Sequence, residues 1–539
     1  MTRVKLPELS PSAAPEFVDA ASCKAWLEHV PLANVGVAQQ QLLGQLVELN
    51  RFPISAANRL AVMESLREAV NFVQIEQARR FTNRALPLAE AEAAVFRDTD
   101  ALWAQMRLSY LRCLDSAASG DAALRAQAAL ICQRLLACAG LRMFHHYRAY
   151  CEIPAEDWRD LHEPYAKAEE LEVSEEPVKD FLNRDVHDSS PRIAYARAVL
   201  MHMSNPNELT QRQLTFIAFL LERWAAKLEV LRDPIDEGDG LPLVADLAGE
   251  RCPERVAGAP PQARAGIRYL DARKLAKSLK NRINLLRKGE SPAQLSLGED
   301  CVQPSCEQLL VFLFRQWCQP KAARLERRPA ADAAKVSSDM QAIHYALSGK
   351  RFRDPGERRE LTPKEREEME TLGRVSRREE AEWKDAPGFV LEEWQLEDES
   401  AQGLRMVRRG ASPGGRLSHG QLVAVRPGEA KNFMLGQVRW LMGAGNGDVS
   451  AGVRLLPGLP QAIAVRATGL NAPNEKYLPA LSLSKVPALN APASLVLPPG
   501  WYKPKRVIEL MTDPPTRVAL TEVLDRGTDF ERLGYEAAS

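Results

Sequence analysis

No run of apolar residues in this 539-residue chain approaches the roughly 20 that a membrane-spanning helix needs. One of the longer runs, Phe216 to Leu221, stops at Glu222 and Arg223. The first 17 residues mix charges with three prolines and hold no apolar core of a secretory signal, so a cytoplasmic protein is expected. Cysteine is sparse: nine residues, scattered, odd in number and without a Cys-x-x-Cys pair. That spacing argues against a structural zinc site and fits reduced thiols. Net charge is absent too, with 71 Lys+Arg against 71 Asp+Glu, which disfavours a globally basic nucleic-acid binder. Histidine numbers only eight, and the adjacent His145 and His146 point to different sides of a helix, the wrong geometry for one metal. No Gly-x-Ser-x-Gly, Walker A or His-Glu-x-x-His pattern is present, so no catalytic constellation and no metal site is expected.

Glycine is missing where helices should be. Residues 1–234 contain four (Gly36, Gly44, Gly120 and Gly140), and the remaining 305 contain 27. Glycine weakens helices and serves tight turns, so the first part reads as almost entirely helical and the rest as rich in strands. Met63, Leu66, Val70 and Val73 repeat at the 3, 4, 3 spacing of one helix face, after a start signal at Pro53 and Ser55. A long helical segment is expected over residues 121–150 and another over 209–231. About eight helices with short connections suggest an irregular bundle or short solenoid over 1–234.

Residues 235–320 read as a mixed linking region. They contain a basic helix from Ala272 to Gly289, with Lys274, Lys277, Lys280, Arg282 and Arg287, and a short apolar segment from Leu309 to Trp317. The basic helix lacks interleaved aromatics, so nucleic acid is disfavoured as its partner. Residues 351–384 are charge-dense, with 20 of 34 charged and ten of each sign, which fits a solvated insertion. From Phe389 onward short β-branched segments alternate with Gly, Pro and Asn: 403–407, 421–425, 434–440, 451–456 and 462–467. Asn446-Gly447 marks a hairpin, because both residues tolerate positive φ. This spacing suggests a small barrel. Further strand-like pieces at 481–483, 494–497 and 506–511 either extend it or form another.

Inside the strand region Asp398, Ser400 and Gly403 stand in an Asp-x-Ser-x-x-Gly pattern. Trp394 to Leu396 looks like the strand leading in, and Gly436 to Trp440 with Ala451 to Leu456 looks like a late hairpin. Asp and Ser offer short side chains for polar ligand edges or local backbone, and Gly permits a tight turn and close ligand approach. These residues together resemble the PilZ domain, a six-stranded barrel that in many bacterial proteins binds cyclic di-GMP. The resemblance covers about a quarter of the chain.

The resemblance also implies an upstream Arg-x-x-x-Arg whose guanidinium groups grip phosphate and stack on guanine. Two pairs fit. Arg374 and Arg378 end 20 residues before Asp398; Arg324 and Arg328 end 70 residues before it. A barrel of this kind places a strand between the arginines and the Asp-x-Ser-x-x-Gly strand. Residues 379–384 make a poor strand, whereas Val336 to Gly349 alternates apolar residues and ends in Gly, which favours Arg324 and Arg328.

The expected fold is α+β and multidomain: a helical domain over 1–234, a mixed region over 235–320, a PilZ-like six-stranded antiparallel barrel over 321–470 with insertion 351–384, and a β-rich extension over 471–539. The expected function is a cytoplasmic, bacterial-type, non-enzymatic receptor. Arg324, Arg328, Asp398, Ser400 and Gly403 would bind cyclic di-GMP, with Arg374 and Arg378 as the alternative arginines. No cofactor is expected beside that ligand, and the helical region would contact a protein partner. The alternative is a degenerate PilZ scaffold that binds protein partners without nucleotide.

Overall fold

A computed structural model of the chain describes residues 6–235, 242–256, 266–319, 328–330, 332–356, 371, 389, 391–428, 430–468 and 475–538. The chain divides into two units, Met1–Arg84 with Leu88–Arg324, and Ala85–Pro87 with Leu325–Ser539.

The first unit is built on α1 (Ala20–Leu27), α2 (Val35–Arg51), α3 (Ala56–Ala78), α4 (Glu90–Ala118), α5 (Ala122–Arg125), α6 (Ala128–Arg148), α7 (Ala155–Glu170), α8 (Pro191–Met203) and α9 (Gln211–Trp224). Local sequence sets the starts. Ser55 caps α3 by accepting from the Asn58 N–H, Thr210 and Gln213 form a capping box on α9, and Ser190 caps α8 with Pro191 in the first turn. The stripe Met63, Leu66, Val70 and Val73 is fully buried on α3. Helix α6 is the central element and packs against α4, α7 and α8. The segment 121–150 is two helices, not one, because the chain turns at Ala126 and Gln127.

Strands also enter the first 234 residues, contrary to the all-helical expectation. β1 (Val178–Lys179) pairs with β2 (Asp188–Ser189). This hairpin is held by Asp180, whose carboxylate accepts from Arg67 (2.8 Å) and Gln133 (2.9 Å). Buried charge pairing, not helix propensity, decides the local backbone there. β3 (Glu229–Leu231) joins a second sheet with β4 (Leu243–Asp246), β5 (Glu254–Arg255) and β6 (Ile267–Asp271) in the order β3-β6-β4-β5.

The expected linking region 235–320 is therefore no linker. Its sheet, with α10 (Arg273–Arg287) and α11 (Ser305–Cys318), shares one core with α6 to α9. Leu275, Leu279, Ile283 and Leu286 form the buried face of α10, and Trp317 of α11 donates its indole N–H to the Leu200 carbonyl at 2.8 Å. The apolar segment 309–317 is helical. Cys301 and Cys306 form a disulfide across the start of α11, where the turn brings their Cα atoms to 5.0 Å; this revises the expectation of nine reduced thiols, and the other seven are free.

The second unit opens with β7 (Arg328–Pro329), β8 (Ala333–Ser338) and α12 (Met340–Ser348). The segment expected as one strand, 336–349, is thus a strand followed by a helix. Asp339 accepts from the N–H groups of Gln341 and Ala342, and Gly349 ends the helix at φ +69°, so the Gly is a helix stop. Strands β9 (Glu392–Ser400), β10 (Gly403–Arg408), β11 (Leu422–Pro427), β12 (Met434–Gly443) and β13 (Val449–Leu455) follow. They run in the order β10-β13-β12-β11-β8-β9; pairing of β9 with β10 closes six antiparallel strands into a ring, and β7 adds to β9. Most of the charged insertion, 357–370 and 372–384, lies outside the described residues.

A separate closed barrel contains β14 (Pro460–Ala467), β15 (Leu478–Leu483), β16 (Ser494–Leu497), β17 (Val507–Leu510), β18 (Thr516–Arg526) and β19 (Glu531–Ala537), in the order β14-β15-β16-β19-β18-β17. It begins near Pro460 and not at 471, because β14 pairs with β15 and β17. Within this unit the barrels share Ile343, Leu422, Leu435, Leu481, Val496 and Phe530 as one apolar cluster. The Leu422 N–H donates to the Asp529 carboxylate at 2.9 Å. Among the described residues no helix is long and apolar enough to cross a membrane.

Candidate functional site

Strand β9 carries the Asp-x-Ser-x-x-Gly residues. Trp394 and Leu396 point into the first barrel and are buried. Strict alternation would send Asp398 inward as well. A bulge prevents this: Met406 pairs with Leu396, but the next residue back, Arg405, pairs with Asp398, leaving Glu397 as the extra residue. Asp398 therefore shares the outer face with Arg405, whose side chain is 44% exposed. Bulges often re-aim side chains beside functional sites.

The same row continues across the sheet. Arg405 pairs with Gly452, and Gly452 pairs with Trp440 after a second bulge between Val438 and Trp440. Gly452 is required by that ring: a Cβ there would stand 1.8 Å from the Trp440 indole nitrogen. The Arg405 guanidinium lies 6.0 Å from the Trp440 ring centroid and bonds Glu397 at 2.7 Å. A carboxylate, a guanidinium and an aromatic face thus occupy one outer row of four strands.

The neighbouring row begins at the β9–β10 turn. Ser400 pairs with Gly403, and its hydroxyl donates to the Gly403 carbonyl at 3.1 Å. A Cβ on Gly403 would sit 2.7 Å from the Val453 carbonyl oxygen, so close strand packing dictates glycine. On the other side of β9, Arg328 pairs with Glu399 and Pro329 with Asp398. Arg328 is exposed and sits opposite the residue between Asp398 and Ser400.

The fold therefore brings Asp398, Ser400 and Gly403 together and sets Arg328 on the adjoining strand, paired with Glu399 and so on the face opposite to Asp398 and Ser400. Arg324, Arg374 and Arg378 lie outside the described residues. Arg405 and Trp440 were missed by sequence reading. A basic and an aromatic residue flanking an Asp/Ser turn could have drawn notice, but their common face depends on two bulges. His145 and His146 diverge as expected. His146 bonds Asp100 at 3.0 Å, while His145 is enclosed by Phe81, Trp103 and Phe144, and burial pulls its pKa down to about 3.

Two family models match the chain. Residues 21–234 match "Cyclic-di-GMP receptor FimW, N-terminal domain", and residues 463–538 match "FimW C-terminal beta-barrel domain". The first barrel lies between the two matched segments. A curated relative, "Cyclic-di-GMP receptor FimW" of Pseudomonas aeruginosa, is 25% identical over 527 residues, covering 89% of this chain and 84% of the relative. Together these matches support a cyclic-di-GMP receptor family for the chain.

Proposed function

We propose that the chain is a member of that receptor family, that it binds cyclic di-GMP on the outer face of the first barrel, and that this barrel is of the PilZ type. The observation that carries the reading is the row Asp398–Arg405–Gly452–Trp440 beside Ser400 and Gly403, with Arg328 on the adjoining strand. In this reading Arg328, with Arg324 upstream, grips phosphate through charge-assisted hydrogen bonds. Asp398 and Ser400 bond a guanine edge, Gly403 lets the base approach the backbone, and the Trp440 indole offers a stacking face.

The bound dinucleotide favours one state of the protein by its difference in affinity between states, and the helical unit passes that change to a protein partner in the cytoplasm. The role is non-catalytic. Support for the ligand comes from the relative's name and from the chemistry of the row; support for the partner comes from the size of the helical unit.

Isothermal titration of the full chain with cyclic di-GMP tests the reading. Saturable heat at micromolar ligand, lost in the Asp398→Ala variant, is expected. Absence of heat with correctly folded protein would favour the scaffold alternative.

A further inference from the structure

Helix α6 leaves one stripe only partly covered. Ala137, Gly140, Leu141, Phe144 and Arg148 are each only partly buried, whereas Leu135, Leu136, Cys138, Ala139, Met143, His145, His146 and Tyr147 around them are buried. Their spacing follows one helix face over about three turns, a length of roughly 16 Å. Ala137 to Phe144 floor a cavity of about 130 Å³. Helix α3 walls it with Arg67 and Asn71, and α8 walls it with Ile193, Arg197 and Met201. The β1–β2 hairpin closes the end nearest the start of α6.

The two ends differ in charge. At the closed end the polar groups satisfy one another: Arg67 and Gln133 hold Asp180, Arg197 bonds Asn183 at 2.6 Å, and Glu222 accepts from the Arg184 and Asp185 N–H groups. One turn beyond Phe144, outside the residues that line the cavity, stands Arg148. Its guanidinium lies 5.9 Å from the Phe144 ring centroid, its Nε is buried without a hydrogen-bond partner, and among the described residues it forms no ion pair. Burial and then the like charge of Arg79 pull its pKa down to about 10. An unpaired guanidinium at the end of an apolar trough calls for an anionic group.

The surroundings are also apolar. Among the described residues the exposed large hydrophobics include only two aromatics, Phe181 (68% exposed) and Phe72 (46%). Phe72 follows Asn71, and Phe181 sits between Asp180 and Leu182; all three of those neighbours line the cavity. A cavity of this volume holds one large apolar side chain.

We infer that this groove docks an amphipathic, acidic α-helix of a partner protein. Apolar residues at i, i+4 and i+7 would lie along Ala137, Leu141 and Phe144, with the largest in the cavity, and a carboxylate one turn further would pair with Arg148. The small side chain of Ala137 lets the partner helix approach closely, while Gly140 packs α6 against Ala198 of α8. The inference rests on the reading of the helical unit as the partner-contacting part, and not on nucleotide binding.

A displayed library of 18-residue helical peptides, selected on the full chain, tests it. The enriched sequences should carry apolar residues at i, i+4 and i+7 followed by Glu or Asp. In fluorescence anisotropy with the consensus peptide, Leu141→Asp should weaken binding at least tenfold. Arg148→Glu should do the same, with recovery when the peptide's acid is changed to Lys. Both variants should keep the wild-type response to cyclic di-GMP, so that failure here is separable from failure of the nucleotide reading. Because Leu141 also packs on the core of α2, α3, α4 and α6, Leu141→Asp is expected to lower the melting temperature, and Arg148→Glu with its charge-swap recovery carries the test if that variant does not fold. No enrichment, enrichment of basic sequences, or unchanged binding by folded Leu141→Asp would overturn the inference. So would self-association of the wild type that Leu141→Asp abolishes, which would make the occupant a second copy of this chain.

Discussion

Asp398 and Arg405 are direct partners across the β9–β10 pair, one step beyond a bulge that turns Asp398 away from the barrel core. An acid and a base held side by side on an outer sheet face, with the Trp440 ring near the guanidinium, form a recognition surface more readily than a stabilising contact. The ion pair that Arg405 makes there is with Glu397 and is exposed; such a pair contributes only about 0–1 kcal/mol to stability, so ligand binding is the more sensitive readout of substitutions there.

Arg328→Ala is expected to weaken cyclic di-GMP binding tenfold or more. Micromolar affinity requires about 8 kcal/mol, and hydrogen bonds to charged groups supply roughly 1.5–3 kcal/mol each. Arg374→Ala should leave binding near wild type. Titration calorimetry on both variants decides between the pairs, and the opposite pattern would transfer the role to Arg374 and Arg378.

Gly452→Ala is expected to act through Trp440. The added methyl group occupies the space of the indole, which must swing off the row. If the ring stacks a base, worth roughly 1–3 kcal/mol, then Gly452→Ala and Trp440→Ala should lose similar affinity. The double variant should lose no more than either single one. Additive losses would mean that Gly452 does not work by making room for the ring.

His145 makes the helical unit acid-sensitive. Burial lowers its pKa from about 6.5 to about 3, so it stays neutral in the fold while the unfolded chain takes up a proton. Its contribution is present above pH 6.5 and is lost as pH falls toward 3. Asp157 acts in the opposite sense: burial raises its pKa to about 6 against the pull of Arg142, so its contribution is present at acid pH and is lost as pH rises through 6. His145→Phe, in a pocket already aromatic, should change urea stability little at pH 7. At pH 5 it should exceed wild type by ~2 kcal/mol. Equal pH profiles would show that His145 is not the titrating group.

The two barrels of the second unit should unfold together. Phe530 is fully buried in their shared cluster, so Phe530→Ala is expected to cost about 3–5 kcal/mol. Asp529→Ala strands the Leu422 N–H and should cost about 1–3 kcal/mol. Scanning calorimetry should show one transition for this unit moving down in both variants. A fixed transition beside a moving one would mean that the barrels are independent.

Sequence alone determined the features that depend on neighbouring residues. Scarce glycine and the 3, 4, 3 apolar spacing announced the helices of residues 20–224, and Asn446-Gly447 announced the β12–β13 hairpin. The turn that carries Asp398, Ser400 and Gly403 was legible as a local pattern because its spacing is short. The alternation of 336–349 misled, since it cannot tell a strand from a strand followed by a capped helix; Asp339 and Gly349 settled that through backbone hydrogen bonding and positive φ. Only the tertiary structure decided that residues 235–320 join the helical core and that β14 belongs to the second barrel, because those outcomes depend on distant partners. The same holds for the row from Asp398 to Trp440. Side-chain direction in a strand reverses with every residue, so each bulge flips the face of everything beyond it. Where the bulges fall is fixed by pairing with β10 and β13, which no local pattern encodes.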